Sequence, residues 1–168
     1  MIRNLIGVMG PGKTASSKEI ATAYALGQAI AEQGWVLITG GRAAGVMDAA
    51  SQGAQSAQGL VVGILPDETG AQMSSAVDIP IVTGMGHGRN VINVLSSRVV
   101  IACGLGAGTL SEIAFAIKLQ KPLLLMHMEP PTIKGLTHLA TSPIWAVDSV
   151  AGAIARIDAW LAEAPSTD

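Results

Sequence analysis

Four glycine clusters, each following a short apolar run, constrain this chain more than any other feature. They are Gly10-Pro11-Gly12-Lys13 after Ile2–Met9, and Gly40-Gly41-Arg42 with Gly45 after Trp35–Thr39. The others are Gly84-Met85-Gly86-His87-Gly88-Arg89 after Ile79–Thr83, and Gly104-Leu105-Gly106-Ala107-Gly108-Thr109 after Val99–Cys103. Short apolar runs bounded by glycine read as buried strands, and the helix-period segments between them read as crossovers. That alternation predicts an α/β fold: a Rossmann-like, three-layer domain with a mostly parallel, doubly wound sheet. In such a sheet the glycine clusters fall at the carboxyl ends of strands, where ligands collect.

The pattern predicts further strands over Leu60–Leu65, Pro122–His127 and Ile144–Val147. Helices are predicted over Ser17–Gln33, Gly45–Gln58, Asn90–Ser97, Thr109–Gln120 and Val150–Glu163. Ser16 and Glu19 have capping-box spacing at the start of the first helix, and Gly34 ends it. Its inward stripe is read as Ile20, Tyr24, Gly27 and Ile30. In the last helix Ile154, Ile157, Trp160 and Leu161 are expected to face inward. Pro66–Asp78 reads as loop, Pro80 marks its strand as an edge, and Pro165–Asp168 reads as a frayed tail. With no internal repeat and no linker, residues 1–168 are expected to form one domain.

Composition narrows the partners. Charged residues are 13% of the chain, against roughly 25% in typical soluble proteins. Such a thin charged surface points to a homo-oligomer. The net charge is −2 with no long Lys/Arg run, and aromatics are 3%. Nucleic acid and anionic membrane are therefore excluded as expected partners. Cys103 is the single cysteine, so no intramolecular disulfide can form. No run of ~18 apolar residues exists to span a membrane. The start lacks a signal-peptide pattern, so a cytoplasmic location is expected. His87, His127 and His138 have no metal-ligand spacing, and no structural metal is expected; His87, in a rim loop, is a possible anion contact.

The clusters have a shared chemistry. Glycine lets backbone N–H groups approach an anion, and a helix starting directly afterwards adds unpaired N–H groups and its positive dipole end. Together the clusters would form one anion-binding rim, with Thr109 adding a hydroxyl. Arg42, directly after two glycines, is a cationic candidate. Lys13 reads equally as an anion contact or a solvated side chain. Gly7–Thr14 also fits the phosphate-loop pattern G-x-x-x-x-G-K-T. Read literally, it predicts a Mg-nucleotide phosphohydrolase or kinase. Against that, the helix signal starts late, at Ser16–Glu19, and neither Val99–Cys103 nor Pro122–His127 ends in an Asp to hold Mg²⁺.

Two runs carry a family resemblance. Gly40-Gly41-Arg42-Ala43-Ala44-Gly45-Val46-Met47 resembles the G-G-x-x-G-[LV]-M loop of the Lonely Guy-type superfamily, once called lysine-decarboxylase-like. Gly106-Ala107-Gly108-Thr109-Leu110-Ser111-Glu112 resembles its P-G-G-x-G-T-x-x-E loop. Within that superfamily the chain is most similar to molybdenum cofactor carrier proteins. That similarity rests on Gly7–Gly12, Ala31–Leu37, Gly84-Met85-Gly86, Arg89-Asn90, Ser96-Ser97 and Cys103-Gly104. It implies binding, protection and transfer of molybdenum cofactor, a phosphate-bearing pterin, with molybdoenzymes or cofactor-synthesis proteins as partners. The implied binding residues are Gly10, Gly12, Lys13, Gly40, Gly41, Arg42, Gly45, Met47, Gly86, Arg89, Asn90, Gly104, Gly106, Gly108, Thr109 and Glu112.

The superfamily also implies an alternative, hydrolysis of nucleoside 5′-monophosphates. There Arg89 would orient the phosphate and Glu112 would stabilise positive charge on the ribose. The sequence departs from the hydrolase pattern where Gly104-Leu105 replaces Pro-Gly and Asn90 replaces the usual Lys. Cys103 reads as core, or as a soft contact beside the metal-dithiolene.

Overall fold

The computed structural model describes residues 3–163. Its strands are β1 (Leu5–Met9), β2 (Val36–Thr39), β3 (Val61–Leu65), β4 (Ile79–Val82), β5 (Val99–Cys103), β6 (Leu123–Met126) and β7 (Ile144–Ala146). Its α-helices are α1 (Ser17–Glu32), α2 (Gly45–Ser56), α3 (Asn90–Ser96), α4 (Ala107–Lys118), α5 (Pro130–Leu139) and α6 (Val150–Glu163). A short 3₁₀ turn, Gly86–Arg89, leads into α3. The strands form one sheet in the order β4-β3-β2-β1-β5-β6-β7. Every pairing between these strands is parallel.

Helices cover both faces of the sheet, which is why β3 and β5 are apolar and buried at every position rather than alternating. On one face Ile6, Val8, Leu37, Ile101 and Leu124 pack against α1, α2 and α6, with Leu26, Ile30, Ala50 and Ile157 in the same cluster. On the other, Met9, Val100, Ala102, Leu123 and Leu125 meet Val94 of α3, Ile113 and Ala116 of α4, and Leu136 of α5. Strand β4 is exposed throughout, as expected of an edge carrying Pro80.

The predicted capping box forms. Glu19 N–H donates to Ser16 Oγ at 3.3 Å, and Ser16 N–H donates to Glu19 Oε2 at 2.7 Å. Helices α1 and α2 then cross at close range. A Cβ on Gly27 would lie 1.9 Å from Ala50 O, and one on Gly53 would lie 1.9 Å from Tyr24 O.

Three expectations need correction. The buried stripe of α1 is Ala23, Leu26, Gly27 and Ile30, whereas Ile20 and Tyr24 are exposed. Ala23 and Gly27, one turn apart, are small where α1 meets the core and the Gly27 backbone approaches α2. Helix α5 was not expected; it opens with Pro130-Pro131, whose fixed φ and missing N–H suit a first helical turn. Helix α4 begins at Ala107 rather than Thr109, placing Gly108 inside its first turn. Ile2 and Pro165–Asp168 lie outside the described residues.

Candidate functional site

From β1 the chain works outward through β2 and β3 to β4, then returns to lay β5 against the other side of β1. Neighbouring connections therefore leave the sheet in opposite directions at β1 and β5, and a crevice opens at their carboxyl ends. A cleft of about 300 Å³ occupies it. It is lined by twelve of the residues expected from sequence: Gly10, Gly12, Gly40, Arg42, Met47, Gly86, Arg89, Asn90, Gly106, Gly108, Thr109 and Glu112. Met9, Pro11, Thr14, Pro66, His87 and Ala107 complete the lining.

Four expected residues are not in the lining. Lys13 is exposed beside the cleft, and Thr14 takes the lining position next to it. The phosphate-loop reading of Gly7–Thr14 loses its premise, because α1 starts at Ser17 and no helix N-terminus follows Lys13-Thr14 directly. Gly41, Gly45 and Gly104 shape the loops from behind. Gly45 has φ +53, and a Cβ there would lie 2.0 Å from Gly12 O, so it lets the β1 and β2 loops touch.

Arg89 organises the cleft. It is only 7% exposed. Its Nε donates to Ile64 O at 2.8 Å, its Nη2 to Gly40 O at 3.3 Å, and its Nη1 to Asn90 Oδ1. Its Nη2 also donates to Met47 Sδ at 4.0 Å; a guanidinium carries five N–H donors, so one remains for a ligand. Gly40 is glycine because a Cβ would lie 2.5 Å from Arg89 Nη2 and 2.6 Å from Met47 Sδ. Asn90 is held in turn, donating from Nδ2 to Ser111 Oγ at 2.8 Å.

Glu112 lies across from it, 6% exposed. Its Oε1 accepts from Asn93 Nδ2 at 2.9 Å. Burial pushes its pKa up to about 7, against the opposing pull of the Asn93 hydrogen bond and the Arg89 charge. Burial likewise lowers the pKa of Arg89, a trend the Glu112 charge opposes.

Among the described residues Asn93 Oδ1, on the side chain that bonds Glu112, lacks a partner, and so do two buried polar atoms of cleft-lining residues. They are Thr109 Oγ1, on a residue 2% exposed, and Arg42 Nε. Buried groups normally find partners, and both belong to residues lining the cleft. Arg42 is steered by Gln72, whose Oε1 accepts from Arg42 Nη2. Helix α4 has Gly106 as its N-cap with no side-chain cap, so its first N–H groups are open to the cleft. Two arginines, a helix N-terminus and an unpartnered hydroxyl line the same cleft as one carboxyl group. That set suits an anion with several oxygens.

Gln72 and Asn93 were missed from sequence. Asn93 stands three residues after Asn90, on the same face of α3, and that spacing was a usable signal. Gln72 sits in a loop with no periodicity to mark it. Cys103 is settled as core: its thiol is fully buried, 3.6 Å from Glu19 O, and burial with the Glu19 charge raises its pKa to about 12. Among the described residues no group of three or more His, Cys, Asp or Glu is placed to hold a metal ion. No described helix is long and apolar enough to cross a membrane.

The chain matches the SLOG cluster4 family over residues 3–154. It is 46% identical to an uncharacterised protein of Archaeoglobus fulgidus over 128 residues, 76% of this chain and 82% of that one. The molybdenum cofactor binding protein of Rippkaea orientalis superposes with a TM-score of 0.94 at 50% identity, covering 96% of this chain and 99% of its own. The molybdenum cofactor carrier protein of Chlamydomonas reinhardtii gives a TM-score of 0.91 at 44% identity, with the same coverage.

Proposed function

Because the chain belongs to the SLOG cluster4 family, we propose that it binds, protects and hands on the molybdenum cofactor. The observation that carries this is the donor set of the cleft. Thr109 Oγ1, the one remaining N–H of Arg89 and the α4 N-terminus line the same cleft and together suit a terminal phosphate. Met9, Pro11, Met47 and Pro66 add apolar lining for the pterin. The names of the two solved relatives support the same ligand. Anaerobic titration with purified cofactor tests it: saturable binding that Arg89→Ala weakens is expected, and no binding refutes it.

One observation favours a second reading, a phosphoribohydrolase: Arg89 and Glu112 do share the cleft. That chemistry needs Glu112 ionised to stabilise a developing cation, whereas burial raises its pKa to about 7 and leaves much of it neutral near that pH. Chromatography of AMP incubated with the protein decides it. Base release lost in Glu112→Gln establishes the hydrolase, and no release leaves the carrier. Self-association belongs to the same proposal, supported by exposed Ile20, Tyr24, Leu95, Leu110 and Leu139. So do a cytoplasmic location and delivery to molybdoenzymes or cofactor-synthesis proteins.

A further inference from the structure

We infer that Glu112 is a specificity-determining residue that enters the complex as the neutral acid, donating its proton to a ligand oxygen, so that the cleft takes a dianionic phosphate together with one proton. This rests on reading the cleft as a phosphate-ligand site.

The argument begins with what surrounds the carboxyl group. Among the described residues, the charged groups lining the cleft are Arg42, Arg89 and Glu112, with His87 exposed at its mouth. From α3, Glu112 is faced by the uncharged Asn93 and Asn90. The β1–α1 loop presents Gly10, Pro11, Gly12 and Thr14, also uncharged. Arg89 is the one charge that favours its ionised form, more weakly than the Asn93 hydrogen bond does and against the larger effect of burial. One carboxyl oxygen is occupied by Asn93. The other has no protein partner among the described residues, although the side chain lines the cleft.

A phosphate monoester that engages Arg89 takes up the one counter-charge acting on Glu112. Both anions would then share about 300 Å³. Like charges at such range disfavour ionisation, and an unpaired buried carboxylate is costly. Taking up one proton from solvent removes the repulsion. It also turns the free oxygen into an O–H donor in the cleft that the unpartnered Thr109 hydroxyl also lines. A ligand with no strong anion gains nothing from this donor, so Glu112 discriminates by ligand charge. The neutral acid lies within easy reach near neutrality, since burial has already moved the group most of the way.

The test is calorimetric titration with AMP at pH 8 in buffers of different ionisation enthalpy. At that pH the phosphate ester is already dianionic, so proton uptake reports on the protein. Uptake of about one proton per AMP is expected, with affinity falling about tenfold per pH unit above about 7. In Glu112→Gln, whose amide is a permanent donor, uptake should vanish and the pH profile should flatten. AMP binding without proton uptake, or uptake that persists in Glu112→Gln, overturns the inference and leaves the anion cleft standing. No AMP binding overturns both the anion cleft and the inference. The wild-type stoichiometry refutes the idea alone, even if the variant folds poorly.

Discussion

Neutralising Glu112 should make the free protein more stable, and only on the alkaline side. The carboxyl titrates near 4.5 in an open chain and at about 7 in the fold. Below pH ~4.5 the group is neutral in both states and nothing is lost. As pH rises, the unfolded chain releases a proton that the folded protein retains, so stability falls until the folded group also ionises. Above about pH 7 the penalty is complete. At ~1.4 kcal/mol per pH unit, the gap is worth ~3 kcal/mol. Glu112→Gln keeps the shape and the acceptor for Asn93 Nδ2 while removing the charge. For a chain of 168 residues, ~3 kcal/mol corresponds to a melting temperature roughly 6–12 °C higher at pH 8. The gain should shrink steadily towards pH 4.5. Differential scanning calorimetry of both proteins across that range measures it. A melting difference independent of pH, or a wild type that melts higher at pH 8, would refute the burial argument. The ionised carboxylate would then be satisfied by Arg89, and the site would be an ion pair rather than a strained acid.

Three further outcomes are expected. Arg89→Ala should weaken AMP binding by roughly 10- to 100-fold, the range for hydrogen bonds to a charged group, and unchanged affinity in a titration would remove Arg89 from the site. Gly40→Ala should cost ligand affinity by displacing Arg89 and Met47, whereas Gly12→Ala meets nothing closer than Met47 Cε at 3.6 Å and should fold normally; thermal melting with binding separates the two effects. Cys103, with its pKa raised to about 12, should resist a thiol-specific disulfide reagent at pH 8 until the chain is unfolded, and rapid native labelling would contradict its placement under α1.

Much of the architecture was legible because doubly wound sheets write themselves twice, once as apolar runs and again as glycine at their ends. Val99–Cys103 matches its expected boundaries for that reason. The stripe of α1 did not follow, because Ile20 and Tyr24 are large and apolar yet the sheet-facing side of α1 is set by α2. Where two backbones nearly touch, Ala23 and Gly27 fit and larger side chains turn outward. Helix α5 was hidden by its prolines and by Gly135, which lower helix propensity although the first turn tolerates them. Gly10, Gly12, Gly40, Arg42, Gly86, Gly106, Gly108 and Thr109 were readable as loop chemistry, whereas the roles of Arg89, Asn90 and Glu112 came with the family resemblance. Lys13 was not resolvable, since a one-residue change along a loop decides whether a side chain enters a cleft or leaves it. Gln72 depends on a contact thirty positions away, which no local pattern reports.

The backbone contact between α1 and α2 has a consequence for how a cargo leaves. Those two helices follow the β1 and β2 loops, and their locked crossing fuses that half of the rim into one stiff wall. The ordering of these loops is completed when the chain folds, so ligand arrival requires little further immobilisation. Affinity is then governed by individual contacts rather than by closure. A stiff wall also gives no built-in ejection step. On the proposed carrier reading, a receiving protein would draw the ligand out by competing for it group by group, beginning with whichever end faces solvent.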